Sequence, residues 1–450
     1  MKRKASERQP AAPQPPLTEE VRPTQPVSYW SPFVKIAFRF SFMYFGLFCL
    51  ATQIAGSLFQ TPAGSFRGFG LLWPMRPITL WVAEHVFGAT EPLTYGRNTG
   101  ETLFYWTQTA WLLTLATVAA GIWSVLDRHR PNYDTLHKWF HLFVRLALAA
   151  SMFEYGMTKV IPTQFPRPPL NTLVTPVGDL SLSALLWTTI GASPAYEIVT
   201  GCAELLSGVL LLVPRTTMLG ALISLADMSL VFLMNMSFDI GVKQISFHLI
   251  LLSLLVLAPD LRRLANFFVL DRPAEASRQP PLFRSSRANR IALVAQVVFG
   301  LYLIGTYAYI NYTYWHTAGD GRPRSPLYGI WNVAELSVDG EVHAPALNDY
   351  DRRWRRVIFD LRDTMSVQRL DDSFARFGAA INVYDKTLAL TKGGSKSWKA
   401  GFVFRQPSED RLILDGEMDG HKIQVQLQLA EFDTWRLLNS RFRWVRPEDN

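Results

Sequence analysis

Residues 195–235 read AYEIVTGCAELLSGVLLLVPRTTMLGALISLADMSLVFLMN, two apolar runs parted only by Pro214 and Arg215. A bilayer span takes about 20 mostly apolar residues, so each run is long enough to cross. The two-residue break makes them antiparallel neighbours joined by a tight turn. Working outward, further runs of this kind stand at 33–56, 103–126, 138–160, 242–258 and 291–310, which with 195–214 and 216–235 gives seven expected spans. The stretch 71–88 is apolar but broken by Pro74, Arg76, Pro77 and Glu84. It reads as a helix lying in the interface, with Trp73 and Trp81 as anchors.

Charge divides the chain in the same way. Residues 326–450 hold 18 Lys+Arg and 19 Asp+Glu, which leaves 27 and 18 to residues 1–325. The basic excess thus belongs to the membrane half, where basic residues flank spans for topological reasons. With no basic patch interleaved with aromatics on a soluble module, nucleic acid is not an expected partner. Cys49 and Cys202 both lie in apolar runs without a CxxC, which argues against a disulfide framework or a cysteine-ligated metal. No metal site is expected.

Orientation follows from the loops. The N-terminal tail, the 127–138 loop, Arg215 and the 259–290 segment carry sixteen Lys and Arg, against four in the loops 57–102, 161–194 and 236–241. The positive-inside rule then predicts a cytoplasmic N-terminus and, after seven spans, an extracytoplasmic C-terminal domain in a multi-pass protein of the bacterial inner membrane. The expected organisation is a disordered cytoplasmic tail (1–32), a helical bundle (33–270), a Pro- and Arg-rich linker (271–290), a seventh helix (291–310) that mainly carries the next domain, and a β-rich domain (327–450). The fold class is a mainly α polytopic membrane bundle plus an all-β barrel or sandwich.

In that last region, Lys422–Leu429 alternates polar and apolar residues, the mark of a half-buried antiparallel strand. Further strands are expected at 330–338, 355–360, 365–371, 379–383, 387–391, 400–405, 411–415 and 440–445, with turns at Asp339-Gly340 and Asp419-Gly420. Gly329-Ile330-Trp331 before these strands resembles the opening of a lipocalin-like barrel. In that family the tryptophan closes one end and a late arginine packs on it, a part that would fall to Arg441 or Arg443. The alternative is a generic β-sandwich with a core tryptophan.

Polar side chains inside the expected spans are the candidate site, because such groups are costly in lipid and often functional. At about 100° per residue, Arg145 and Lys159 fall within roughly 40° of one another, and Tyr155 shares their stripe, while Glu154 points elsewhere. Glu197, Gly201, Glu204 and Gly208 form one face of the next span, with glycines that allow close helix approach. Asp227, Asn235, Asp239, Lys243 and His248 follow on later segments. Depth along the spans predicts an outer cluster of Lys159, Glu197, Asp239 and Lys243, paired Lys159–Glu197 and Asp239–Lys243. A deeper set holds Glu154, Glu204, Asp227 and His248. The competing account makes these residues snorkelling lysines and interhelical hydrogen-bond partners.

Tyr155-Gly156-Met157-Thr158-Lys159, Pro176-Val177-Gly178-Asp179-Leu180 and Gly201 to Leu212 with Arg215 resemble the DoxX family, a resemblance that continues through Asn235, Asp239 and Lys243 and covers roughly 138–270. It implies a four-helix membrane bundle related to membrane oxidoreductase partners that handle quinone. A fainter similarity links the bundle to the transmembrane part of vitamin K-dependent γ-carboxylases, whose intramembrane lysine acts as base; Lys159 is the position that would match. The chain departs from DoxX in its two extra N-terminal spans, its seventh span and its β domain. What the resemblance implies is a membrane redox component with Lys159, Glu204 and Tyr155 as catalytic candidates, quinone as cofactor and a redox or extracytoplasmic protein as partner. The alternative is a non-catalytic, membrane-anchored protein whose β domain binds a lipid, a small apolar ligand or a partner.

Overall fold

The computed structural model describes residues 29–64, 66–96, 101–274, 281–344, 353–393, 398–432, 435–439 and 445. Most of the expected N-terminal tail, Arg441, Arg443 and nearly all of the strand expected at 440–445 lie outside them.

The helices in chain order are α1 (Pro32–Ala51), α2 (Gln53–Leu58), α3 (Met75–His85), α4 (Leu103–Leu126), α5 (Asp134–Val160), α6 (Leu170–Leu173), α7 (Leu182–Gly191), α8 (Pro194–Leu212), α9 (Thr217–Ser237), α10 (Lys243–Leu257), α11 (Leu261–Phe268), α12 (Ser286–Thr317) and α13 (Arg436–Asn439). Local signals set several ends. Ser31 caps α1 through its hydroxyl, which accepts from the Val34 amide, and Pro32 opens the helix where no amide hydrogen is needed. The expected span 33–56 is interrupted. At Thr52 the backbone is extended, and Gly68 passes so close that a Cβ there would lie 2.2 Å from the Thr52 carbonyl oxygen.

Among the described residues six helical stretches, Pro32–Ala51, Leu103–Leu126, Pro194–Leu212, Thr217–Ser237, Lys243–Phe268 and Ser286–Thr317, are long and apolar enough to cross a membrane. The protein is a membrane protein on this ground. The remaining expected span, α5, has the length but not the composition, because it carries Arg145, Glu154 and Lys159. It nevertheless runs the full height of the bundle. Asp134 at its start accepts from the Trp30 indole at 2.9 Å, just before α1, and Thr163 just past its end donates to Asn311 late in α12 at 2.7 Å. Helices α1, α2, α8, α10 and α12 pack around it, so its polar groups face protein. Helix α12 is more than a carrier for the next domain. Leu303 and Tyr307 of α12 are buried in the bundle core. The segment 71–88 contains α3, 11 residues long, with Trp73 and Trp81 exposed.

The strands are β1 (Arg324–Val338), β2 (Glu341–Val342), β3 (Trp354–Leu361), β4 (Thr364–Arg369), β5 (Phe374–Asn382), β6 (Thr387–Thr391), β7 (Lys399–Ser408), β8 (Arg411–Met418) and β9 (His421–Leu429). Apart from the short β2, each pairs antiparallel with the next, and β9 returns to β1. The result is a closed eight-stranded barrel rather than a sandwich. The long β1 makes closure possible: its first half pairs with β3 and its second half with β9. Ile423, Val425 and Leu427 point inward on β9 while Gln424 and Gln426 point out, as the alternation predicts. Asp339-Gly340 and Asp419-Gly420 both have positive φ at each residue, the backbone that tight hairpin turns require. Trp331, Phe359, Met365, Phe377, Phe402 and Phe404 pack within one buried cluster in the interior, and the Trp331 indole donates to the Leu327 carbonyl at 2.9 Å.

The α5–α8 connection docks this barrel on the bundle. The Leu170 amide donates to Asp360 at 3.1 Å, Asn171 to Ser366 at 3.0 Å, and Gln368 to the Val174 carbonyl at 3.1 Å. Leu170 is buried against Ile330 and Ile358.

Candidate functional site

The site begins with backbone contact between α5 and α8. A Cβ on Gly201 would lie 2.7 Å from the Gly156 carbonyl oxygen, and one on Gly208 would lie 2.7 Å from the Phe153 ring. The glycines that stand between the glutamates of the Glu197, Gly201, Glu204, Gly208 face therefore do what they promise: only glycine lets the two helices come this close. At that separation Lys159 reaches across to Glu204. Its ammonium donates to both carboxylate oxygens, at 2.7 and 2.8 Å, and both residues are buried. The same ammonium sits 5.8 Å from the centre of the Tyr155 ring, and the Tyr155 hydroxyl accepts from the Gln53 amide. Asp227, on α9, interacts electrostatically with Glu204 and Lys159, and its Oδ2 is buried without a hydrogen-bond partner. Glu204 holds the ammonium, and Asp227 is a second carboxylate in its field without an ion pair of its own among the described residues.

The expected pairing needs correction. Lys159 pairs with Glu204, not with Glu197. Glu197 is fully buried and pins the chain after α5, accepting from the Phe165 amide at 3.0 Å. It stands seven residues, nearly two turns, before Glu204, and its carboxylate is engaged by the backbone after α5 instead of the ammonium. The Asp239–Lys243 pair forms at 2.6 Å, with the Asp239 carboxylate exposed. Of the two expected outer pairs, Asp239–Lys243 forms and Lys159–Glu197 does not.

The other predicted residues go to separate places. Glu154 accepts from Ser57, whose carbonyl takes the Tyr307 hydroxyl at 3.2 Å. Asn235 ties the α9–α10 connection, donating to Ser246 at 3.0 Å and to the Val242 carbonyl at 3.4 Å. His248 is satisfied on both ring nitrogens, by the Gln244 carbonyl at 2.7 Å and the Tyr44 hydroxyl at 2.8 Å, and stacks on Phe48. With a carbonyl on one side, Nδ1 carries the hydrogen and Nε2 accepts. Arg145 shares the α5 stripe but lies at the far end, bonded to Thr217 and Gln296. Gly329 and Trp331 belong to the barrel and take no part.

Sequence reasoning missed Gln53 and Tyr307, inside apolar runs, and Ser57, just past the end of one, because a search for ionisable residues within spans passes over them. It also missed Glu101. That carboxylate, from the segment before α4, accepts the Gln244 amide in the first turn of α10, and burial raises its pKa. No local signal marks a loop carboxylate as the cap of a distant helix. Among the described residues no group of three His, Cys, Asp or Glu is placed to hold a metal ion.

Chemically, the group of buried Lys159 and Glu204 with half-buried Asp227 and Tyr155 can take up, hold and pass on a proton, because its charge balances only with one more proton or cation.

No family model and no solved structure matches the chain. A curated relative, described as "Uncharacterized protein YwoB" of Bacillus subtilis (strain 168), is 38% identical over 127 residues, which is 28% of this chain and 79% of the relative. Most of the relative is therefore covered by a part of this chain, and the chain belongs to the family of YwoB.

Proposed function

We propose that the bundle is a proton-handling membrane module, in which Lys159, Glu204 and Asp227 exchange a proton with a quinone entering sideways from the bilayer. The observation that carries this reading is the uneven pairing: one buried ammonium serves Glu204 bidentately and leaves an Asp227 oxygen unpartnered. A merely structural ion pair has no use for the second carboxylate, whose burial costs several kcal/mol if it stays charged (about 2.5–3.5 at a span centre). Reduction of a quinone takes two electrons and two protons. The electrons would come from a partner redox protein, and the cluster would supply protons. The resemblance of 138–270 to the DoxX family supports the same reading. On the positive-inside count, the N-terminus faces the cytoplasm and the barrel the outside of a bacterial inner membrane.

A second reading rests on the barrel. Its interior holds a continuous cluster of large side chains, and it is fastened to the bundle by Leu170, Asn171 and Val174. These features favour a scaffold that presents the barrel's outer surface to a partner protein.

Solvent extraction and mass spectrometry of the protein purified in mild detergent separate the two. The proton-handling reading expects a stoichiometric quinone, lost in Lys159→Ala and Glu204→Ala. Protein that carries no quinone, or retains it in both variants, sinks that reading and leaves the scaffold.

A further inference from the structure

At the end of the bundle away from the barrel, a cleft of about 1040 Å³ opens between the start of α5, the α8–α9 turn, the α10–α11 junction and the start of α12. It stands about 21 Å along α5 from Lys159, by helical rise over the residues between Arg145 and Lys159, and is a different place from the proton site. Lys138, Arg145, Arg215, Arg262, Arg263 and Arg290 line it, against one acid, Asp260. Asp260 is taken by Arg263. Among the described residues, none of the other five cations has a carboxylate within ion-pair distance.

Arg145 is the telling member. It is 4% exposed, yet among the described residues its guanidinium bonds only neutral groups, the Thr217 hydroxyl at 3.3 Å and the Gln296 side-chain carbonyl, and its Nε has no partner. A buried cation without an anion is expensive, and five cations facing one space repel each other. An anion in the cleft removes both costs. Guanidinium forks match phosphate oxygens in pairs, and basic clefts between helices at the membrane surface suit lipid headgroups. The neighbouring α11 adds a lipid-facing feature. It turns Arg262 and Arg263 to the cleft while Leu261, Phe267 and Phe268 stand exposed, the pattern of a helix lying in the interface. We propose that this cleft binds a phosphate group, presented by the headgroup of an anionic phospholipid.

The test uses the full chain, purified in detergent and stripped of lipid, with native mass spectrometry against phosphatidylglycerol or phosphatidylcholine. Phosphatidylglycerol should bind about tenfold more tightly than phosphatidylcholine, and Arg145→Gln should weaken it about tenfold, as loss of one charged contact does. Should Arg145→Gln fail to fold, Arg262→Gln/Arg290→Gln, at exposed positions on the rim, should give the same loss with an unchanged melting temperature. Inorganic phosphate that displaces the lipid would assign the site to free phosphate compounds, whereas no displacement assigns it to the headgroup. Equal uptake of both lipids, or folded variants that bind phosphatidylglycerol as the parent does, would overturn the proposal.

Discussion

The ammonium of Lys159 on α5 is shared between both carboxylate oxygens of Glu204 on α8, at 2.7 and 2.8 Å, inside the helical bundle. Removing one partner strands the other charge in a buried place. Lys159→Met should therefore destabilise the protein by about 3–5 kcal/mol. The double variant Lys159→Met/Glu204→Leu should recover most of that loss. Thermal unfolding in detergent measures both, and additive losses would show that the two groups do not act as a pair.

The close approach of α5 and α8 gives a second expectation. Gly201→Ala places a methyl 2.7 Å from the Gly156 carbonyl oxygen, where backbone rather than a flexible side chain must yield. The helices separate, at a cost of about 1–3 kcal/mol, and the Lys159–Glu204 contact lengthens. Gly121→Ala on α4 is the control, since nothing lies within 4 Å of its Cβ position; it should be neutral or gain up to about 1 kcal/mol of helix propensity. Equal melting temperatures for the two variants would contradict the packing argument.

Glu101 makes a pH-dependent cap. Burial is the chief cause that raises its pKa, partly offset by the Gln244 amide. A raised carboxyl binds its proton more tightly in the folded protein. Its contribution to stability is full below the ordinary value near 4.3 and is lost as pH rises through the folded value. Glu101→Gln keeps an acceptor for α10 without the ionisation, so it should flatten the loss of stability as pH rises from about 4 toward neutral. Glu101→Ala removes the acceptor and should cost about 1 kcal/mol. Melting curves of the three proteins across that range provide the comparison.

Asp339 has the opposite sign. His421, 2.6 Å away, and the Lys422 amide hold its pKa below the usual carboxylate range. Its contribution is present above the ordinary value near 3.9 and disappears as pH falls through the lower folded value. Since these contacts tie the β1–β2 turn to the start of β9, the Lys422 amide should lose protection from hydrogen exchange below about pH 4. Asp339→Ala should abolish that pH dependence; a protection factor that falls identically in the variant would refute the assignment.

Local pattern determined a good deal of this molecule. Apolar length marked seven expected spans, six of which coincide with described helices long and apolar enough to cross, alternation in Lys422–Leu429 marked a strand, and two Asp-Gly pairs marked the turns, because each depends on residues near one another in the chain. The glycines at 201 and 208 likewise announced a close helix contact, though not with which helix. What the sequence left open were choices between distant partners. Lys159 had two candidate glutamates on one helix face, and only the crossing point of α5 and α8 selected Glu204 over Glu197. Arg145 and Lys159 share a stripe, yet their distance along α5 sends them to opposite ends of the bundle. Whether eight strands close or stack depends on β9 meeting β1, a pairing across nearly the whole barrel sequence. Periodicity and composition are short-range properties, so they fixed the elements; long-range packing, which brings groups a hundred residues apart into contact, decided which side chains face one another.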